Sequence, residues 1–282
     1  MRQITHITPS GSLSVVLFDN ACALVSANAL TTASSQPASW MAAPHDGNVP
    51  LPNGDTIPAG VTSFSTGDDG SAYFVMSTPS IWSAAGVRGD PLDLETLMIF
   101  VALHEGSHVA QAATYGRRME ALSTQHQLDV SFNDDSMQRQ FEANDTFAAS
   151  IAQEVDLFLR AASAADNATA RALAREARAL MRLRAERYFV GELTYYTEAE
   201  DIWLTMEGSG QWAGYQWLIH QQGMALPPER ALEAGMRTRW WSQDEGLAIA
   251  LVLDRLGPTD WHRIAFGAGS MTLLELLDEA LA

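Results

Sequence analysis

Lysine is absent from this chain, and all 17 basic residues are arginine, set against 34 acids for a net charge of −17. So few cations do not suit a phosphate backbone, which argues against a nucleic-acid partner. The lone cysteine, Cys22, excludes an intrachain disulfide. Long hydrophobic stretches are also missing. The longest, around Leu97–Leu103 and Leu247–Leu253, are far shorter than the ~20 residues a bilayer-spanning helix needs. No internal repeat is visible, and Gly267-Ala-Gly-Ser270 does not make a phosphate loop. Polar residues and Pro9 follow Arg2 where a signal peptide would carry an apolar core, which predicts a cytoplasmic protein.

What is present describes an ordinary globular chain, with 282 residues, 47% apolar and 18% charged, enough for one large core or two modest ones. The pattern predicts an α+β fold in which a β-rich region over residues 1–90 packs as one unit with a helical region over 91–282. Leu13–Phe18 and Cys22–Ser26 read as a hairpin around Asp19-Asn20, and Gln36–Gly60 as loop. Val61–Ser65 and Ala72–Ser77 read as a second hairpin. The intervening Asp-Gly cluster lacks the alternating oxygens and distal Glu of a calcium loop. A helix should open at Asp90-Pro91 and stop at Tyr115-Gly116. Ser136–Ala162 and Thr169–Tyr188 should form a long helical hairpin. Further helices are expected over Tyr195–Leu218, Gln243–Leu256 and Thr272–Leu281. The second hairpin arm carries Arg171, Arg175, Arg178, Arg182, Arg184 and Arg187. That stripe reads as a solvated face paired with acids on neighbouring helices, or else as a wall that binds substrate carboxylates.

The chemistry concentrates in His104-Glu105-Gly106-Ser107-His108, inside an apolar helical run. Histidines four apart share one helix face, so both imidazoles reach a single ion. Catalytic zinc takes three protein ligands and a water, and Glu105 stands where it can act as general base on that water. The plainer reading is a core helix with two satisfied histidines. No third histidine follows closely, so a carboxylate is the expected third ligand, with Glu142, Glu154, Glu198, Glu200 and Glu207 as helical candidates. Glu207 has the best setting, between apolar Trp203, Leu204 and Met206 and the small residues Gly208 and Gly210. A carboxylate there is costly to bury without a cation. Glu200, two turns earlier, suits a supporting or substrate-amine role. Glycines 208, 210 and 214 cost roughly 1 kcal/mol each inside a helix and suggest close approach of another element, such as the metal helix.

His104-Glu-x-x-His108 with a downstream helical glutamate resembles the gluzincin class of zinc metallopeptidases. Glu207-Gly-Ser-Gly-Gln-Trp-Ala-Gly is also similar to the Glu-Gly-Leu-Ala-x-Tyr element of bacterial proteins bearing this motif. The chain further resembles them in the long helical hairpin and in a late Gly-x-Ala-x-x-Leu-x-Leu-Asp-Arg-Leu helix, here Gly246–Leu256. The likeness spans residues 95–265. Two features depart from the pattern. Ser209-Gly210 and Trp212 replace Leu-Ala and Tyr, and the interval from His108 to Glu207 far exceeds the thermolysin-like spacing.

The resemblance implies a zincin-like domain with a helical-hairpin insertion and a Zn2+ ion on His104, His108 and Glu207. The activity it implies is hydrolysis of a peptide or small amide substrate. Tyr195, Tyr196, Tyr215, His220 and His262 are candidates for oxyanion stabilisation, the Tyr195–Tyr196 pair foremost, with His220 also a substrate contact. By analogy, Ala72–Ser77 would offer a strand edge to substrate. The competing expectations are a binding or structural protein with a vestigial metal site, and a zinc hydrolase of a non-peptide amide or ester.

Overall fold

The computed structural model describes residues 14–27, 39–67, 72–236 and 239–282. It is α+β, mainly helical with a small N-terminal sheet. The chain folds as two compact units, Met1–Ala113 with Ala213–Ala234, and Thr114–Trp212 with Gly235–Ala282. Residue 90 lies within the first unit. The helix after it packs on the sheet and belongs with it.

In the first unit, β1 (Ser14–Phe18), β2 (Cys22–Ala27), β3 (Ser39–Pro44), β6 (Ser63–Thr66) and β7 (Tyr73–Ser77) form one sheet in the order β3-β2-β1-β7-β6. β1 and β7 run parallel and the other pairs antiparallel. Both expected hairpins are present, although residues 68–71 between β6 and β7 lie outside the described residues. The expected loop over 36–60 instead holds β3 and a small hairpin of β4 (Asn48–Pro50) and β5 (Thr56–Pro58). Proline ends β4 and β5, keeping them three residues long.

Alternation along β1 and β7 splits the sheet's two faces. Val16, Phe18, Tyr73 and Val75 pack with Val49 and Ile81, while Val15, Phe74 and Met76 pack with Met98 of the following helix. β7 is buried along its whole length and paired on both sides, so Ala72–Ser77 is not the available edge. Among the described residues that place falls to β6.

After α1 (Pro79–Ala84), α2 (Leu94–Gln111) carries the histidine motif. Its start is set by Asp93, whose side chain accepts the Thr96 N–H at 2.8 Å, one turn later than Asp90-Pro91 suggested. It does not stop at Gly116. A π turn, Ala112–Gly116, leads into α3 (Arg117–His126). Such a turn admits one extra residue and redirects the side chains after it. Here Tyr115 is fully buried, its hydroxyl donating to the Met271 carbonyl at 2.6 Å.

The second unit is helical. The span expected as one helix over 136–162 divides into α4 (Ser136–Phe141) and α5 (Asp145–Ala162), because the Asn144 side chain caps α5. α6 (Asn167–Tyr188) returns along α5, capped by Asp166. α7 (Tyr196–Ile219) follows, then α8 (Pro228–Gly235), α9 (Trp241–Leu256), which packs on α5 and α6, and α10 (Leu273–Leu281), which opens with a Thr272–Glu275 capping box. The arginine stripe of α6 is paired with the protein's own acceptors. Arg171 and Arg175 donate to the last carbonyls of α10, and Arg178 and Arg182 to Asp278 at 3.0 and 2.9 Å.

Candidate metal centre

His104 and His108 sit one turn apart on the same face of α2, with Nε2 atoms 2.9 Å apart and ring planes at 90°. Glu207, on α7, completes the group. One ligand atom from each of the three residues lies within 4.8 Å of the others, and His104 and Glu207 are buried. This group is close enough to hold a metal ion.

Its chemistry suits one. Two Nε2 lone pairs do not face each other at 2.9 Å unless a cation or a shared proton lies between them. Nitrogens bound tetrahedrally to zinc at ~2.05 Å stand about 3.3 Å apart, so ligation needs the rings to open by only a few tenths of an ångström. Gln111, fully buried, places its carbonyl oxygen 3.3 Å from His108 Nδ1. A proton on Nδ1 donated there leaves Nε2 as the ligand atom, the arrangement common to metal-bound histidines.

Glu105 is held from the sheet. Ser65 on β6 lies with its hydroxyl 2.8 Å from Glu105 Oε2 and 2.7 Å from the Glu105 carbonyl, so it donates to one or the other. Glu207 is held within the second unit. Gln243 donates to its Oε2 at 3.1 Å, and Gln211 donates to the side-chain Oε1 of Gln243 at 2.8 Å.

Two glycines make that reach available. A Cβ on Gly208 would stand 2.5 Å from the backbone of Gly246, so α7 and α9 meet main chain to main chain beside Glu207. The close neighbour of Gly208 is therefore α9. Gly214 is the one that faces α2, where a Cβ would meet the Phe100 ring at 2.5 Å. Nearby, burial raises the Asp135 carboxyl, with the charge of Glu207 adding to the effect and Arg139 opposing it.

Comparison with protein-family models, curated proteins and solved structures returns no match. The site is read from its own geometry.

The other predicted residues have surroundings of their own. Tyr196 is in an aromatic core with Phe132, Phe141, Phe147, Phe189 and Trp203, its hydroxyl donating to the Ser136 carbonyl at 3.3 Å. Burial raises its pKa, with Tyr195 reinforcing the shift. About 16 Å of helix separates it from Glu207. Tyr195 packs on Tyr196, Phe132 and His126. Tyr196 thus lies in the aromatic core with its hydroxyl on a backbone carbonyl, and Tyr195 packs against that core.

Glu200 is bound to Arg184 at 2.6 Å with Glu154 at 2.7 Å, so both belong to a buried ion cluster. Glu142 is exposed at the end of α4, and Glu198 pairs with Arg118 at 3.6 Å. His220 ends α7 and accepts the Gln222 N–H at 3.1 Å, while His262 stacks on Trp212. Tyr215 is buried within α7.

Ser65, Gln111, Gln211 and Gln243 were not among the residues singled out from sequence. Serine and glutamine carry no spacing signature of their own. Only the costly glycine at 208 hinted that α7 was closely approached there.

Proposed function

We propose that the protein is a zinc-dependent hydrolase of the gluzincin kind, acting on peptide bonds, with the metal on His104, His108 and Glu207. The convergence of those three side chains carries the reading. A zincin-like domain, with the α5–α6 hairpin as its insertion, is the fold assignment that goes with it. It is supported by a motif helix lying on a small sheet and a glutamate supplied by a later helix.

Zinc bound there would supply Lewis-acid polarisation of the scissile carbonyl and an acidified water. Glu105 takes a proton from the attacking water and passes it to the leaving amine as the C–N bond breaks. Ser65 keeps that carboxylate in place. A peptide is favoured over other amides because Ser65 belongs to β6, which among the described residues has an unpaired edge on which an extended backbone can align.

The test is metal content by plasma mass spectrometry on the wild type, His104→Ala and Glu105→Gln, followed by cleavage of a peptide library. We expect about one zinc per chain, lost in His104→Ala. Glu105→Gln should keep the metal and lose cleavage. A wild type that takes up no zinc at neutral pH overturns the assignment. One that binds zinc yet cleaves equally well with Glu105→Gln removes Glu105 from the chemistry.

A further inference from the structure

We propose that Gln243 and Gln211 form a two-amide relay that fixes the carboxylate of Glu207 for the metal, with Gln243 the positioning residue and Gln211 acting through it. The inference rests on the metal reading above and adds which residues set the strength of the site.

The geometry runs in one direction. Gln211 follows Glu207 by one helical turn, so both side chains leave the same face of α7. α9 crosses that face at the Gly208–Gly246 contact, and Gln243 stands three residues before Gly246, one turn away. Gln211 Nε2 donates to Gln243 Oε1 at 2.8 Å. That bond settles which end of the Gln243 amide faces the carboxylate, since reversing it would set two N–H groups against each other and press Oε1 on a carboxylate oxygen. Gln243 Nε2 then donates to Glu207 Oε2 at 3.1 Å.

A carboxylate oxygen that accepts such a bond has given up part of its donor capacity. The bond therefore holds the orientation in which the carboxylate would meet the cation. Gln211 is 3% exposed, so the relay works in a dry setting where an amide–carboxylate bond is strong. Neutral amides suit this place. They orient the carboxylate without drawing off the negative charge the cation needs, as an arginine would.

The measurement is zinc affinity by competition with a chromogenic chelator, on full-length wild type, Gln243→Leu, Gln211→Leu and the double variant. The cobalt-substituted absorption spectrum is read alongside, and circular dichroism confirms the fold. Gln243→Leu should weaken zinc binding 10- to 100-fold, the usual effect of removing a partner of a metal ligand. Gln211→Leu should weaken it less, and the double variant should match Gln243→Leu. The ligand-field bands of cobalt should shift in Gln243→Leu.

Multiplicative losses in the double variant would mean independent packing effects and overturn the relay, as would unchanged affinity in Gln243→Leu. Gln243→Met, closer in shape, replaces leucine if the first variant is misfolded. Wild-type protein that binds no zinc is a separate outcome, which removes the metal reading itself and the relay with it.

Discussion

Replacing Glu245 by glutamine should stabilise the helical unit, by an amount that grows with pH. Arg184 lies at the centre of that unit, completely desolvated, among Glu154, Glu200 and Glu245. Glu154 receives its Nε and Nη2 at 3.0 and 2.7 Å and the Ser150 hydroxyl at 2.6 Å, while Glu200 receives Nη1 at 2.6 Å. Burial opposes the Arg184 charge, but the three carboxylates outweigh it and hold the guanidinium above its ordinary value. Glu245 is the one left over. It comes no nearer to Arg184 than 3.7 Å, and no hydrogen-bond donor reaches its oxygens among the described residues. Three ionised carboxylates around one guanidinium would leave two net charges in a dry core, at several kcal/mol per ion. Burial accordingly raises the Glu245 carboxyl well above 4.5, Glu154 and Glu200 reinforcing the shift and Arg184 resisting it.

The linkage follows from that direction. The folded state keeps a proton that the unfolded chain releases near pH 4.5, so stability from this group is full below that pH. It is lost as pH rises toward the folded value, at about 1.4 kcal/mol per pH unit for one proton. For a chain of this size that is roughly 3–5 °C of Tm per pH unit. Glutamine keeps the shape and removes the titration. Thermal unfolding from about pH 5 to 9 should show wild type and Glu245→Gln close together at the acid end and diverging above it. Parallel curves, or a variant less stable than wild type at pH 7, would refute a neutral Glu245.

Gly246→Ala should cost about 1–3 kcal/mol and lower zinc affinity. The new methyl would sit 2.6 Å from the Gly208 Cα and 2.7 Å from the Leu204 carbonyl, backbone groups that do not yield without parting α7 from α9. Denaturant titration measures the first effect and chelator competition the second. Tyr196→Phe should cost about 1 kcal/mol for its bond to Ser136 and leave zinc content and kcat/KM unchanged, a large fall in kcat being the result that returns it to the chemistry. Glu207→Ala should release zinc at chelator concentrations the wild type withstands, and full metal occupancy would transfer the third ligand to another residue.

The histidine-bearing helix was legible because its motif is encoded in spacing. His104 and His108 fall on one face whenever that segment is helical, and the apolar run around them makes it a buried helix. Glu207 was legible as an anomaly, a carboxylate among tryptophan, leucine and glycine. The surroundings of the tyrosine pair were not legible, since an aromatic with a hydroxyl reads alike whether the hydroxyl serves a substrate or satisfies a carbonyl in the core. What determines it is tertiary. Phe132, Phe141, Phe147 and Phe189 converge on Tyr196 from four separate segments, and no local pattern announces that. The short strands in 36–60 escaped for the opposite reason, because turn residues dominate the stretch and the strands depend on pairing partners elsewhere. Ser65 illustrates both limits. It is an ordinary strand serine until β6 is laid beside α2.

The convergence of His104 and His108 has two self-consistent fillings, a proton or a cation, and Glu207 separates them. With a proton, His104 donates from Nε2 to the Nε2 lone pair of His108, while His108 keeps its Nδ1 proton for Gln111. No hydrogen bond then reaches the buried His104 Nδ1 among the described residues, and the buried carboxylate of Glu207 stands beside a neutral imidazole pair. Gln243 donates to that carboxylate with the partial positive charge of an amide N–H. With a divalent cation, the His104 Nε2 proton is given up, both nitrogens become ligands, and the carboxylate faces the charge that justifies its burial. On the proposed reading the three residues act together, two neutral imidazoles and one carboxylate facing a single cation.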